Sequence, residues 1–398
     1  MSKLVLVLVD QADFDPNRRY SAVASVVKSL AESIYDIGSD VSINGEPLEA
    51  VMARPEKLGK PKGISRYRAF YRWIPRRLRQ YLLDWRNRCK VRELGRRLQA
   101  GPRYDCIVNW ISIGSSLGAR LSDQWNVPLL AIYDNPLIDE YSYLHGFPPL
   151  MERAVRRHEE RVLRRANRLV LYSPAVEAVL RKRYIFSGEV VFRAFTDHSR
   201  MKFNLKREPS VTGELRVVYI GSFFAWHEVR ELVAAVLQLL DDGHKIRVTL
   251  VGDGQTHGAI KEMVERSVHS DAFCLPGRLD LDSLDRILTN VDLGIIPGSM
   301  WFQAPVKFFQ YGAAGLAILA KASPTIDHLA SGCDGVRLFD SAAGFKVELR
   351  RMIDGDIDVR CLGASARTFM AFRYSRGAYA DFFRKALDFS PSEVTKEE

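Results

Sequence analysis

The sequence predicts an α/β protein built from two doubly wound domains, and three observations lead there. Strand-length apolar runs such as Leu4–Val9, Cys106–Trp110 and Leu129–Tyr133 are continuously apolar rather than alternating, as strands buried on both faces of a parallel sheet are. Segments with helical apolar spacing lie between such runs, so strand and helix alternate along the chain. The alternation stops at a polar stretch between Phe195 and Gly213 and then begins again. With 398 residues the chain has room for two domains of about 100–200 residues each. The expected division is 1–200, 214–376, and a C-terminal helix with a frayed tail at 377–398.

Each element follows from its own pattern. After Leu4–Val9, the residues Val23, Val26, Val27, Leu30 and Ile34 mark one face of a helix over Tyr20–Tyr35. Val41–Ile43 is a short strand, Leu117–Trp125 a helix between strands Cys106–Trp110 and Leu129–Tyr133, and Glu152–Arg168 a long basic helix before strand Leu169–Tyr172. The second series runs strand Arg216–Ile220, helix Arg230–Leu240, strand Arg247–Val251, helix Ala259–Ser267, strand Ala272–Leu275 and helix Asp282–Asn290. It continues through strand Leu293–Pro297, helix Val306–Ala314 and strand Ala317–Ala320, and closes with helices at Phe345–Ile353 and Gly377–Phe389. The two halves are Rossmann-like domains facing a central cleft, with ligands expected at the carboxyl ends of the strands.

Composition narrows the function classes. Hydrophobic and charged fractions of 47% and 27% exclude a disordered or fibrous chain. No apolar run approaches the ~18–20 residues that span a bilayer, and Leu4–Val9 is too short for a signal peptide. Five cysteines without CxxC spacing predict a reduced, cytoplasmic protein with no structural zinc, and the eight histidines include no HExxH pair. The net charge of +10 is unevenly placed: Arg54–Arg97 holds 16 Lys and Arg against Glu56, Asp84 and Glu93. This window carries the whole excess and points to a polyanionic surface. Its core, RYRAFYRWIPRRLRQYLLDW, interleaves arginines, among them Arg72, Arg76, Arg77 and Arg79, with aromatics such as Trp73. Nucleic acid would use the cations on phosphate and the rings for stacking. A membrane would use them on anionic lipid and at the headgroup level, and a solvated helix is the plain alternative.

Three motifs could carry ligand chemistry. Gly252-Asp253-Gly254 with Gly258 follows a strand and precedes a helix; it reads either as a phosphate-holding turn or as a tight strand–helix turn. Gly221-Ser222, followed by Trp226 and His227, also ends a strand, where small residues let a phosphate approach the backbone. The stretch Gln303–Ala320, QAPVKFFQYGAAGLAILA, is the most specific. Pro305 starts a helix, and Lys307 and Gln310 share one face of its first turn. The helix N-terminus and Lys307 favour an anion, and Gln310 can bond a ribose diol.

Gln303–Ala320 resembles the "SPxKLFEYMAAGKPVVA" segment of GT-B glycosyltransferases, especially glycosyltransferase family 4. Tyr219–Glu228 is similar to that family's "YxGSFxxWHG", Leu250–Gly254 to its "LVGDG", Pro276-Gly277-Arg278 to "xFxGxV" and Glu160–Ser173 to "ExxxLRRADxVVxxS". The resemblance implies a GT-B fold and a nucleotide-sugar donor, UDP- or GDP-linked, bound by the C-terminal domain without a bound metal or other cofactor. It places Ser222 at a phosphate, Arg278 and Leu279 at the base, and Lys307 and Gln310 at diphosphate and ribose, with Gly221, His227 and Gly252 as further donor-binding residues.

The sequence departs from the family at several positions. Gln310 and Phe302 stand where two glutamates are usual, and Ser222 and His227 replace an Arg and a Lys. Asp134, after strand Leu129–Tyr133, stands near the place of an N-domain histidine. A Lys-x-x-Gln-Tyr string and such an aspartate also resemble xanthan-type glucuronosyltransferases, which invert. Asp134 is then either the general base on an acceptor hydroxyl or a turn residue before Asn135-Pro136.

The expected function is sugar transfer to a lipid-linked glycan in bacterial cell-surface polysaccharide synthesis, by a cytoplasmic protein attached to an anionic membrane through the basic window, with no nucleic-acid partner. Two rivals remain: a non-catalytic sugar-nucleotide-binding relative, motivated by the missing glutamates, and a nucleic-acid-binding protein, motivated by the basic window.

Overall fold

The computed structural model describes residues 2–10, 14, 22–54, 76–144, 146, 149–205 and 213–389. These divide into two compact units, one drawn from Met1–Asp197 and Tyr379–Glu398, the other from His198–Ala378.

In the first unit the elements run β1 (Leu4–Val9), α1 (Ala22–Tyr35), β2 (Asp40–Ile43), β3 (Glu46–Pro47), α2 (Leu48–Met52) and α3 (Arg76–Gln99). They continue with β4 (Cys106–Trp110), α4 (Leu117–Trp125), β5 (Leu129–Tyr133), α5 (Leu137–Leu144), α6 (Pro149–Arg165), β6 (Arg168–Leu171), α7 (Pro174–Arg183) and β7 (Glu189–Phe192). The sheet order is β3-β2-β1-β4-β5-β6-β7, parallel except for β2 against β3. The central strands β1, β4 and β5 are buried almost throughout, which explains their unbroken apolar runs.

In the second unit the elements are β8 (Leu215–Ile220), α8 (Val229–Asp241), β9 (Ile246–Val251), α9 (His257–Glu265), β10 (Phe273–Gly277), α10 (Leu281–Thr289) and β11 (Leu293–Ile296). Then come α11 (Val306–Ala313), β12 (Ala317–Lys321), α12 (Pro324–Ala330), β13 (Val336–Phe339), α13 (Ala342–Ile353) and α14 (Val359–Tyr374). Its sheet is wholly parallel in the order β10-β9-β8-β11-β12-β13. Leu215, Val217, Tyr219, Val248, Leu250 and Ile295 lie in its core. Both sheets reverse strand order once, between β1 and β4 and between β8 and β11, and ligands of such sheets bind at these switch points.

The last helix, α15 (Arg376–Ala386), is not a free terminal element. From Tyr379 onward it clusters with the first unit. The Tyr379 hydroxyl accepts the Thr196 N–H at 2.9 Å, Phe195 stacks on Phe383, and the Arg168 guanidinium donates to the Lys385 carbonyl at 2.9 Å and also caps Ala386.

Candidate functional site

Three turns meet at the carboxyl ends of β8, β9 and β10. The Gly221 N–H donates to the Val251 carbonyl at 3.0 Å, and the Gly252 N–H to the Gly277 carbonyl at 2.8 Å. Gly252 has φ +137°, and a Cβ there would lie 1.8 Å from the Gly221 oxygen. At Gly254 a Cβ would lie 2.6 Å from the Phe223 nitrogen. The glycine-rich turn thus allows backbone to pack on backbone, the tight-turn alternative read from the sequence.

The α11 N-terminus opens beside these turns. Lys307, 6% exposed, lies within 4.6 Å of the Tyr219 ring centre, and a Cβ on Gly221 would be 3.2 Å from its Nζ. Among the described residues no carboxylate forms an ion pair with it. Burial pulls its pKa down to about 7. Gln310, 4% exposed, follows one turn later. Two tyrosines fix the strand beneath: the Tyr219 hydroxyl donates to the Ser222 carbonyl at 2.8 Å, and the Tyr311 hydroxyl accepts the Ile220 N–H at 2.8 Å.

His227 shares this desolvated corner. Its Nδ1 lies 3.3 Å from the Gly298 carbonyl, an acceptor, so Nδ1 carries the proton and Nε2 keeps its lone pair. Burial first, and Lys307 second, pull its pKa down to about 4. Lys307 is therefore the cation of the corner, with a helix N-terminus behind it, an arrangement that accepts an anion.

An ion pair beside His227 has no local sign in the sequence. Lys321 Nζ bonds both Glu228 carboxylate oxygens at 2.6 Å across 93 residues. Glu228 itself is left-handed, with φ +50°. Ser222 is exposed in the same loop, whereas Arg278 and Leu279 follow the edge strand β10, where exposed Arg278 lies 3.7 Å from Asp253. The structure therefore gathers Gly221, Ser222, His227, Gly252, Lys307 and Gln310, and sets Arg278 and Leu279 at the rim.

In the first unit, Asp134 directly follows β5. Its Oδ1 accepts the Asn135 N–H at 3.0 Å, and burial, followed by the charge of Glu140, pushes its pKa up to about 7. The turn carrying it is clamped from below by residues the sequence did not single out. The Leu137 N–H donates to the Tyr133 hydroxyl at 3.0 Å, and the Tyr133 and Tyr184 hydroxyls both donate to buried Glu159. At the β1/β4 switch point, buried Asp10 accepts the Leu117 N–H at 3.2 Å and caps α4. Of the basic window, Arg72 and Trp73 lie outside the described residues. Arg76, Arg77 and Arg79 begin α3, with their side chains outside the description.

Residues 214–354, the greater part of the second unit, match the family model described as Glycosyl transferases group 1. Comparison with curated protein sequences finds no match. Solved structures align over nearly the whole chain. Sucrose-phosphate synthase from Thermosynechococcus elongatus has TM-score 0.67 and 16% identity, covering 97% of this chain and 99% of that one. Anabaena HepE in complex with UDP has TM-score 0.63 and 14% identity, covering 97% and 99%. The lipopolysaccharide outer core galactosyltransferase WaaB, in apo form, has TM-score 0.62 and 10% identity, covering 96% and 99%. The fold is the GT-B fold of these glycosyltransferases, two Rossmann-like α/β halves.

Proposed function

We propose that the protein is a glycosyltransferase whose second unit binds the diphosphate of a nucleotide-sugar at Lys307. The observation that carries this reading is a buried lysine with no carboxylate ion pair among the described residues, at a helix N-terminus beside the β8/β11 switch point. The match of residues 214–354 to a glycosyltransferase model supports it, as does the UDP bound by Anabaena HepE. Gln310 takes the ribose, Gly221, with no Cβ to crowd Lys307, leaves room for the phosphate, Ser222 offers it a hydroxyl, His227 accepts a donor-sugar hydroxyl at Nε2, and Arg278 and Leu279 flank the base. Catalysis is positioning plus stabilisation of the departing diphosphate by Lys307, with no metal bound. Asp134 takes the proton of the acceptor hydroxyl as that oxygen attacks the sugar's anomeric carbon. The acceptor is a lipid-linked glycan of bacterial cell-surface polysaccharide synthesis, met at the inner face of the membrane. Calorimetry with UDP- and GDP-sugars tests the site: one series binds, and Lys307→Met weakens it. Slow donor hydrolysis without acceptor separates a transferase from a non-catalytic binder.

A further inference from the structure

Helix α6 is amphipathic in a way the first unit does not use. Its inward stripe, Met151, Val155, Glu159 and Val162, is buried. Its outward stripe, Leu150, Arg153, Arg157, Arg161 and Arg164, is exposed along its whole length. Arg153 and Arg157 have no carboxylate ion pair among the described residues, while Arg161 and Arg164 share theirs with Asp123 and Glu160. Four arginines, Arg157, Arg161, Arg164 and Arg165, line a shallow hollow of about 420 Å³ together with those two acids. Exposed apolar side chains accompany it: Leu150 at the start of the stripe is 70% exposed, and Tyr143, near the end of the preceding helix α5, 60%.

Helices α3, α4 and α6 pack side by side in this unit. α3 turns inward through Val91, Gly95 and Leu98 and outward through Arg92 and Arg96, with Trp85 66% exposed one to two turns earlier. We propose that the outward faces of α3 and α6 form one docking surface for an anionic lipid bilayer. This deepens the membrane reading of the basic window and adds a helix that lies outside it. The apolar residues choose the partner. Arginines alone would suit any polyanion, but a soluble polyanion does not reward an exposed leucine, whereas a bilayer buries Leu150 and seats Trp85 and Tyr143 at headgroup depth. The arginine stems lie along the interface and their guanidinium groups meet lipid phosphate.

The test is sedimentation of the full chain with phosphatidylcholine vesicles, with and without phosphatidylglycerol, alongside binding to duplex DNA. The chain should bind only the anionic vesicles. At roughly five-fold per basic residue, changing Arg153, Arg157, Arg161 and Arg164 to Glu should lower partitioning by at least ten-fold. The milder set to Gln should lower it less, and Leu150→Ser with Trp85→Ser should lower it while leaving the salt dependence intact. Nucleotide-sugar calorimetry on the same variants checks that they are folded and keeps this result separate from the donor-site reading. Equal binding to neutral vesicles, unchanged partitioning in the Glu variant, or tight DNA binding without vesicle binding would each overturn the proposal.

Discussion

Lys307 gives the sharpest test of the proposed donor site, because in that proposal its protonation is tied to binding. Lowering an ammonium from its ordinary 10.5 to about 7 means that burial penalises the charged form by about 5 kcal/mol. At pH 8 about nine in ten free molecules then carry a neutral Lys307. The diphosphate bridge of a nucleotide-sugar stays ionised throughout the neutral range, and its charge restores the ammonium. Binding should therefore take up close to one proton at pH 8 and only about a tenth of one at pH 6. Affinity should fall about tenfold per pH unit above about 7, until the pKa of the complex is passed. Calorimetry in buffers of different ionisation enthalpy reads the proton count directly. Lys307→Met should abolish the uptake and weaken binding by about 1–3 kcal/mol, the range for charge-assisted hydrogen bonds. An absence of uptake by the wild type at pH 8, or equal uptake by the Met variant, would refute the assignment.

Asp134→Asn keeps the shape of the turn and removes the basicity, so turnover should drop about 10²–10⁴-fold at unchanged donor affinity. Its stability should move the other way. The folded pKa is about 7 against 3.8 unfolded, so the wild type binds more protons when folded, and this group's stabilisation is complete below about pH 4 and lost as pH rises through about 7. Urea unfolding should show Asp134→Asn more stable than wild type by about 2–4 kcal/mol at pH 8, with the difference closing toward pH 4. Gly252→Ala must place a Cβ against the Gly221 oxygen at φ +137° and should cost at least ~2 kcal/mol in the same assay. Gly243→Ala, where φ is +88° and no atom lies within 4 Å of the added Cβ, should cost only about 1 kcal/mol.

The parts of the fold legible in the sequence are those whose burial is complete. Strands β1, β4 and β5 and helix α4 begin and end where their apolar patterns do. Several elements that the pattern does not mark have one wet face. Edge strands β7 and β13 are half-exposed and their apolar runs are short, three residues in β7 and interrupted by Arg337 in β13, and α12 announces itself only by the Ser323-Pro324 start that caps it. Helix α3 reads in the sequence as a charge window because arginines occupy nearly every side of it. At the candidate site, Pro305 made the common face of Lys307 and Gln310 readable. The burial of Lys307, the His227 tautomer and the Glu228–Lys321 pair come from tertiary contacts between distant segments, which local patterns do not encode.

The two proposed functional groups reach about pH 7 from opposite directions, and this constrains the pH dependence of the reaction. Burial lowers Lys307 because it disfavours a cation, and raises Asp134 because it disfavours an anion. Transfer requires the reverse of both preferences, a charged lysine on the diphosphate and an ionised aspartate facing the acceptor. In the free protein the first condition holds below about pH 7 and the second above it, so kcat/KM should follow a narrow bell centred near neutrality. The bound diphosphate stabilises the ammonium, so kcat, which reports the complex, should keep its acid limb near pH 7 while its basic limb moves upward. Lys307→Met should remove the basic limb of kcat/KM and leave the acid limb, whereas Asp134→Asn should flatten the acid limb at much reduced rate. An unchanged acid limb in the Asn variant would assign it to another group and return Asp134 to the role of a turn residue.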